Sequence, residues 1–266
     1  MKVAISILSL VLMPGVLSGV CEGASSSSLG TLYNRGNRLY EEGKYSEATR
    51  VYGELVSSGA YDGYLFYNLG NSCFKSGEIG KAILWYSRAK KLLPRDNDVI
   101  TNLEFARKVR ADKIEGVRLT VILRLLRAIV FGLNLTELTL LTFAIYVLAV
   151  ASLITMIVSR KLFFRRFLSR TSLVLAVLTS LCLLWLGGRI FHTNHTVECV
   201  LMVPQVAAMA GPGSEYTKVM SLHEGAEAQI EENREGWYLI KLPNGLGGWI
   251  PHEAVEVVSL STKDNN

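Results

Sequence analysis

The sequence predicts a multidomain membrane protein: an all-α helical repeat, a two-helix transmembrane hairpin and a small all-β barrel, in that order. Three observations predict it. The segment from Leu32 to Arg95 aligns with itself at a shift of 34 residues. Two apolar runs, Leu138 to Val158 and Thr171 to Gly188, carry no charge. Beyond them, Val197 to Val258 breaks into short alternating runs between turn residues.

Composition narrows the function. Half of the 266 residues are hydrophobic and the mean hydropathy is +0.29, more apolar than an ordinary soluble protein. The net charge of +5 is uneven: residues 116–192 carry +8 and residues 193–266 carry −6. A nucleic-acid binder needs its Lys and Arg clustered on a folded, soluble face, whereas here they gather around the apolar runs, so nucleic acid is not an expected partner. Cys21, Cys73, Cys182 and Cys199 form no CxxC and no metal-ligand spacing. P-loop, GxSxG, HExxH, GxGxxG and EF-hand patterns are missing, and the HxxH of His192 and His195 has no further ligand nearby. The sequence therefore predicts no enzyme, no catalytic residue, no cofactor, no metal and no small-molecule substrate.

Residues 1–24 read as a secretory signal: Met1-Lys2, an apolar run from Val3 to Met13, then Pro14-Gly15 and small residues. Cleavage after Ser18, an uncleaved anchor and lipidation at Cys21 remain alternatives, the last disfavoured by bulky Val20. In the repeat, Tyr33-Asn34-Arg35-Gly36-Asn37 recurs as Tyr67-Asn68-Leu69-Gly70-Asn71, and Gly43, Ala48 and Tyr52 pair with Gly77, Ala82 and Tyr86. Period and residues resemble the tetratricopeptide repeat (TPR). Antiparallel helices approach closely only where side chains are small, which assigns Gly36, Gly70, Ala48 and Ala82 to the crossings. Gly43 and Gly77 are expected to end each first helix in a left-handed conformation. Asp98 to Arg110 is expected to cap the stack with Ile100, Leu103, Phe105 and Ala106 inward while Arg107, Lys108 and Arg110 meet water, giving a repeat region over residues 29–112. The resemblance implies a peptide-binding face at Tyr33, Asn37, Tyr40, Tyr67, Asn71 and Phe74. Tyr33 and Tyr67 stand where the family's carboxylate clamp carries Lys or Arg, so capture of a C-terminal carboxylate is not expected; the same aromatics also serve as filling of the stack.

Residues 117–133 read as an interfacial amphipathic helix, or as a helix packed on the protein itself. Residues 138–158 are long enough for a bilayer core of about 30 Å. Residues 171–191 form a second span, with Arg189 reaching toward the headgroups. The loop between, residues 159–170, carries Arg160, Lys161, Arg165, Arg166 and Arg170 with no acid, so the positive-inside rule assigns it to the cytoplasm. Both soluble modules are then extracytoplasmic (periplasmic), although the seven basic residues of Arg107 to Arg127 weaken the asymmetry.

In residues 196–258, strands are expected at Glu198 to Val203, Ala226 to Glu231, Tyr238 to Leu242 and Gly248 to Ile250, with a hairpin turn at Pro243-Asn244-Gly245. With Ala210-Gly211-Pro212-Gly213-Ser214, Gly236-Trp237-Tyr238 and Gly248-Trp249-Ile250-Pro251, the segment resembles a bacterial SH3-type domain, followed by a tail over residues 259–266. The resemblance aligns Trp237 and Pro251 with groove residues. Ala254 replaces a ligand-contacting tyrosine, so proline-rich ligands are not expected, and Trp237 and Trp249 also suit a barrel core.

The order of parts resembles the TPR- and SH3-domain-containing members of the bacterial aerotolerance-operon (Bat) family. That resemblance implies a non-enzymatic scaffold in the bacterial inner (cytoplasmic) membrane. Its implied partners are von Willebrand A-domain membrane proteins and a MoxR-type AAA+ ATPase system, and its implied setting is envelope or oxidative-stress tolerance. A second reading, a cell-wall sensor whose SH3-type domain contacts peptidoglycan, stands beside it.

Overall fold

The computed structural model describes residues 26–113, 120, 122–123, 130, 132–159 and 161–259. The signal segment, most of residues 117–133 and the tail beyond Ser259 lie outside the described residues. The chain divides into two compact units, one ending at Tyr61 and one beginning at Asp62.

In the first unit, α1 (Ser26–Glu41) and α2 (Tyr45–Ser57) form a helical hairpin. A Cβ at Gly36 would lie 2.5 Å from the ring of Tyr52, which is itself 1% exposed, so only glycine fits the crossing. The Tyr52 hydroxyl donates to Asn37 Oδ1 at 2.7 Å. Burial raises the Tyr52 pKa well above that of a free phenol. Gly43, at φ +75°, ends α1: its N–H donates to the Tyr40 carbonyl and that of Lys44 to the Leu39 carbonyl, the paired bonds of a glycine-terminated helix.

The second unit opens with the same device 34 residues later. Between α3 (Gly63–Lys75) and α4 (Ile79–Leu92), a Cβ at Gly70 would lie 2.7 Å from the ring of buried Tyr86. The Tyr86 hydroxyl donates to Asn71 Oδ1 at 2.7 Å, and Gly77 turns the chain at φ +83°. Asp62 caps α3 by accepting the N–H groups of Tyr64 and Leu65, and Asp96 caps α5 (Asn97–Val109) by accepting those of Asp98 and Val99. The two caps are also 34 residues apart, so α5 begins at the position in the period where α3 begins. Helix α5 turns Val99, Leu103 and Ala106 inward. Phe105, expected inside, is 55% exposed, because two residues along a helix rotate a side chain by about 200° from Leu103.

Two helices follow that are long and apolar enough to cross a membrane: α6 (Leu135–Val158) and α7 (Leu162–His195), whose apolar part runs to Phe191. Nearly all of their apolar side chains face outward. The helices meet through Ser152 Oγ, which hydrogen-bonds with Thr171 at 3.2 Å and Ser172 at 2.9 Å. Residues 162–170, expected as loop, are helical, so Arg165, Arg166 and Arg170 sit on the first turns of α7. Charge marked where the apolar run stops; it does not stop a helix, and no Gly or Pro interrupts residues 159–186.

The chain ends in an antiparallel sheet of seven strands: β1 (Val197–Leu201), β2 (Gln205–Met209), β3 (Lys218–His223), β4 (Glu227–Arg234), β5 (Trp237–Lys241), β6 (Gly247–Pro251) and β7 (Val255–Val257), in the order β3-β2-β6-β5-β4-β1-β7. Every strand contributes to one apolar cluster, including Leu201, Ala208, Leu222, Ala228, Ile240, Ile250 and, partly buried, Val255, so the sheet curls around its own core. Glycines at two turns reverse the chain: Glu235-Gly236 joins β4 to β5 at φ +51° and +85°, and Gly245 follows Asn244 at +88°. Sequence patterning overlooked β2 and β3, whose residues do not alternate between buried and exposed, and β7, which is only three residues long.

The crossings predict opposite signs for two similar substitutions. Gly70→Ala should destabilise the detergent-solubilised chain by about 1–3 kcal/mol through overpacking against Tyr86. Gly53→Ala, in α2 with open space around it, should stabilise by about 0.5–1 kcal/mol. Denaturant melts of both variants check the contrast.

Candidate protein-binding site

The helical candidates are built into the crossings before they are offered to any partner. In the first unit Tyr33 is half-buried with its ring 6.0 Å from Tyr52, Asn37 accepts the Tyr52 hydroxyl, and Tyr40 meets Tyr45 edge-on at 5.2 Å. In the second unit Tyr67 stands 6.0 Å from Tyr86 and Asn71 accepts the Tyr86 hydroxyl. The paired tyrosine, glycine and asparagine positions are thus equivalent in geometry as well as in sequence.

Helix α5 supplies residues that the sequence reading missed. Asn102 Nδ2 donates both to the Tyr67 hydroxyl and to Asn71 Oδ1, each at 2.9 Å. Phe105 packs on Phe74 with ring centroids 5.5 Å apart. The structure therefore brings Tyr67, Asn71 and Phe74 together with Asn102 and Phe105 into a surface of amides, a phenol and two phenyl rings. Asn102 aligns with Asn68 at the 34-residue period, a signal available in the sequence.

On the sheet, Trp237 and Pro251 are register partners on β5 and β6, both half-buried. Beside them Tyr238 stacks on His252 at 3.8 Å, and the Arg234 guanidinium lies 5.7 Å from the Trp249 ring centroid. Trp249 is 8% exposed and shares a sheet face with Trp237 and Pro251, opposite the face that carries Ile240 and Ile250 of the apolar cluster.

Arg107 and Arg110, expected to meet water, are largely covered by a carboxylate instead. Arg107 donates to both oxygens of Glu227, from Nε at 2.8 Å and from Nη2 at 2.7 Å, and Arg110 Nη1 donates to Glu227 Oε2 at 2.8 Å. Their side chains are only 29% and 8% exposed. Burial alone would lower the Arg107 pKa, but the bond and charge of Glu227, then Glu104, raise it. The same seam holds Arg88 against Glu256 and the Val257 carbonyl, Asp112 against the N–H and ring of His223, and Glu224 against the N–H of Gly80. The partners lie more than 100 residues apart in sequence.

Among the described residues, no group of three or more His, Cys, Asp or Glu is placed to hold a metal ion. Cys73 and Cys199 are buried at 0% and 1% exposure, and burial pushes the Cys199 thiol up to about 12. Both should resist a thiol-selective maleimide at pH 8 in the native chain and react once it is unfolded; mass spectrometry of the labelled protein checks this, since a thiolate is needed and neither thiol is exposed. No family model matches this chain, and no curated protein matches it either.

Proposed function

We propose that the chain is a membrane-anchored, non-enzymatic scaffold, a TPR-type helical module and an SH3-type barrel displayed on one face of a bilayer by a two-helix hairpin. The observation that carries the reading is the pairing of two outward-facing apolar helices, α6 and α7, with soluble modules at both ends. A helical hairpin returns the chain to the face it left. The bonds from Arg107 and Arg110 to Glu227, on opposite sides of the hairpin in sequence, form only if the flanking modules share that face. The basic residues between the spans favour a cytoplasmic connection, and with it extracytoplasmic modules in the inner membrane of a bacterium.

Partner capture then falls to the helical module. Tyr67, Asn71, Phe74, Asn102 and Phe105 offer stacking area and hydrogen-bonding amides, the residue chemistry of adaptable protein contacts. The Bat-family resemblance points to von Willebrand A-domain membrane proteins and a MoxR-type AAA+ ATPase system as the partners, acting in envelope or oxidative-stress tolerance.

Two experiments test this. Reporter fusions after Asp112 and Ser259 should be active only when exported, and a fusion after Arg166 only in the cytoplasm; a cytoplasmic signal at Asp112 contradicts the topology. In gently solubilised membranes the wild type should co-purify with protein partners, and Phe74→Ala with Phe105→Ala should weaken their capture about tenfold, as expected for losing roughly 1.4 kcal/mol of contact. Wild type that purifies alone, with an isolated barrel that sediments with sacculi, would favour the cell-wall sensor instead.

A further inference from the structure

The seam between the helical module and the barrel is divided by charge. Cations stand on the helix side: Arg88 and Lys91 on α4, Arg107 on α5 and Arg110 just past it. Carboxylates stand on the barrel side: Glu198 on β1, Glu227 on β4 and Glu256 on β7. Glu224 adds a different contact, because its carboxylate accepts the Gly80 N–H at 2.8 Å in the first turn of α4, where a helix favours negative charge. Asp112 reverses the polarity, accepting the His223 N–H at 2.6 Å and meeting Nδ1 at 2.8 Å.

Two glycines permit the approach. A Cβ at Gly80 would lie 2.9 Å from the Leu201 carbonyl oxygen, and one at Gly225 would lie 3.0 Å from Ile83 Cδ1. The side chains of the ion pairs range from 8% to 50% exposed. Water is thus within reach of most charges, and salt screens pairs of this kind. Polar seams between domains behave like transient interfaces, with relative motion as the default. Separation would leave each charge solvated and each module with its own core: Leu69, Tyr86 and Leu103 in the helices, and Leu201, Ile240 and Ile250 in the sheet.

We propose that this seam is a reversible latch. Pairing of Glu227 with Arg107 and Arg110 closes the barrel onto α4 and α5 as one body, and loss of that pairing releases the whole seam at once while both folds persist. The two modules are then a two-state element rather than a fixed assembly. This reading is independent of which partner the helical module captures.

The amides of Gly80 and His223 report the latch, because each donates across the seam to a carboxylate other than Glu227. Hydrogen exchange at residue resolution is measured on the full chain in nanodiscs. Glu227→Arg should speed exchange at both amides about tenfold or more, with Leu69 and Ile240 unchanged, and Arg107→Glu with Arg110→Glu should restore protection in the Glu227→Arg background. In the unaltered chain, raising salt from about 0.05 M to about 1 M should speed the same two amides several-fold. Unchanged exchange at Gly80 and His223 in Glu227→Arg, acceleration reaching Leu69 and Ile240 equally, failure of the charge swap to restore protection, or indifference to salt would each overturn the latch.

Discussion

Glu227 joins parts of the chain that the sequence keeps far apart. Its carboxylate lies between Arg107 and Arg110, 120 and 117 residues away, with both apolar helices in between. Two cations sharing one carboxylate fix position and direction together, since Arg107 grips both oxygens in the forked geometry that a guanidinium provides. With this seam made, α4 and α5 stand beside the sheet. At the end of α4, Arg95 pairs with Glu137 in the first turn of α6 and donates to the Gly132 carbonyl, so the helical module is tied to the first apolar helix as well.

Within the helical units, one crossing serves both stability and surface. Glycine lets a tyrosine ring lie across the helix, and the buried hydroxyl then needs an acceptor, which Asn37 and Asn71 provide. Those asparagine carbonyls are therefore committed to the fold. In the proposed scaffold, the rim is what a partner would meet first: the ring faces of Phe74 and Phe105, with Tyr67 and Asn102 beside them. This separates residues that hold the site together from residues that can touch something else, a distinction the motif alone does not make.

Much of the fold was legible because it is local. A glycine at φ +75° or +83°, a small residue at a crossing and an apolar run longer than a bilayer core each declare themselves within a few residues of sequence. The α7 start was misread because charge reports polarity and not backbone conformation. Phe105 was misplaced by counting it among apolar residues without turning the helix. Arg107 and Arg110 looked like solvated ends because the acid that pairs with Arg107 locally, Glu104, is itself exposed; Glu227 becomes their shared partner only once the sheet is folded and the chain has returned through the hairpin. Strands β2 and β3 escaped because one face of each is only partly covered, which erases the alternation that patterning relies on.

The claim on which this account rests is that the helical module and the barrel meet in the native membrane. Lys91 Nζ and Glu198 Oε2 lie 3.3 Å apart across the seam, while Lys241 and Glu231 lie 2.8 Å apart within the barrel. Zero-length carbodiimide cross-linking of the full chain in membranes, read by peptide mass spectrometry, compares them directly. The account predicts both cross-links within a single chain; a Lys241–Glu231 link without any Lys91–Glu198 link would contradict it.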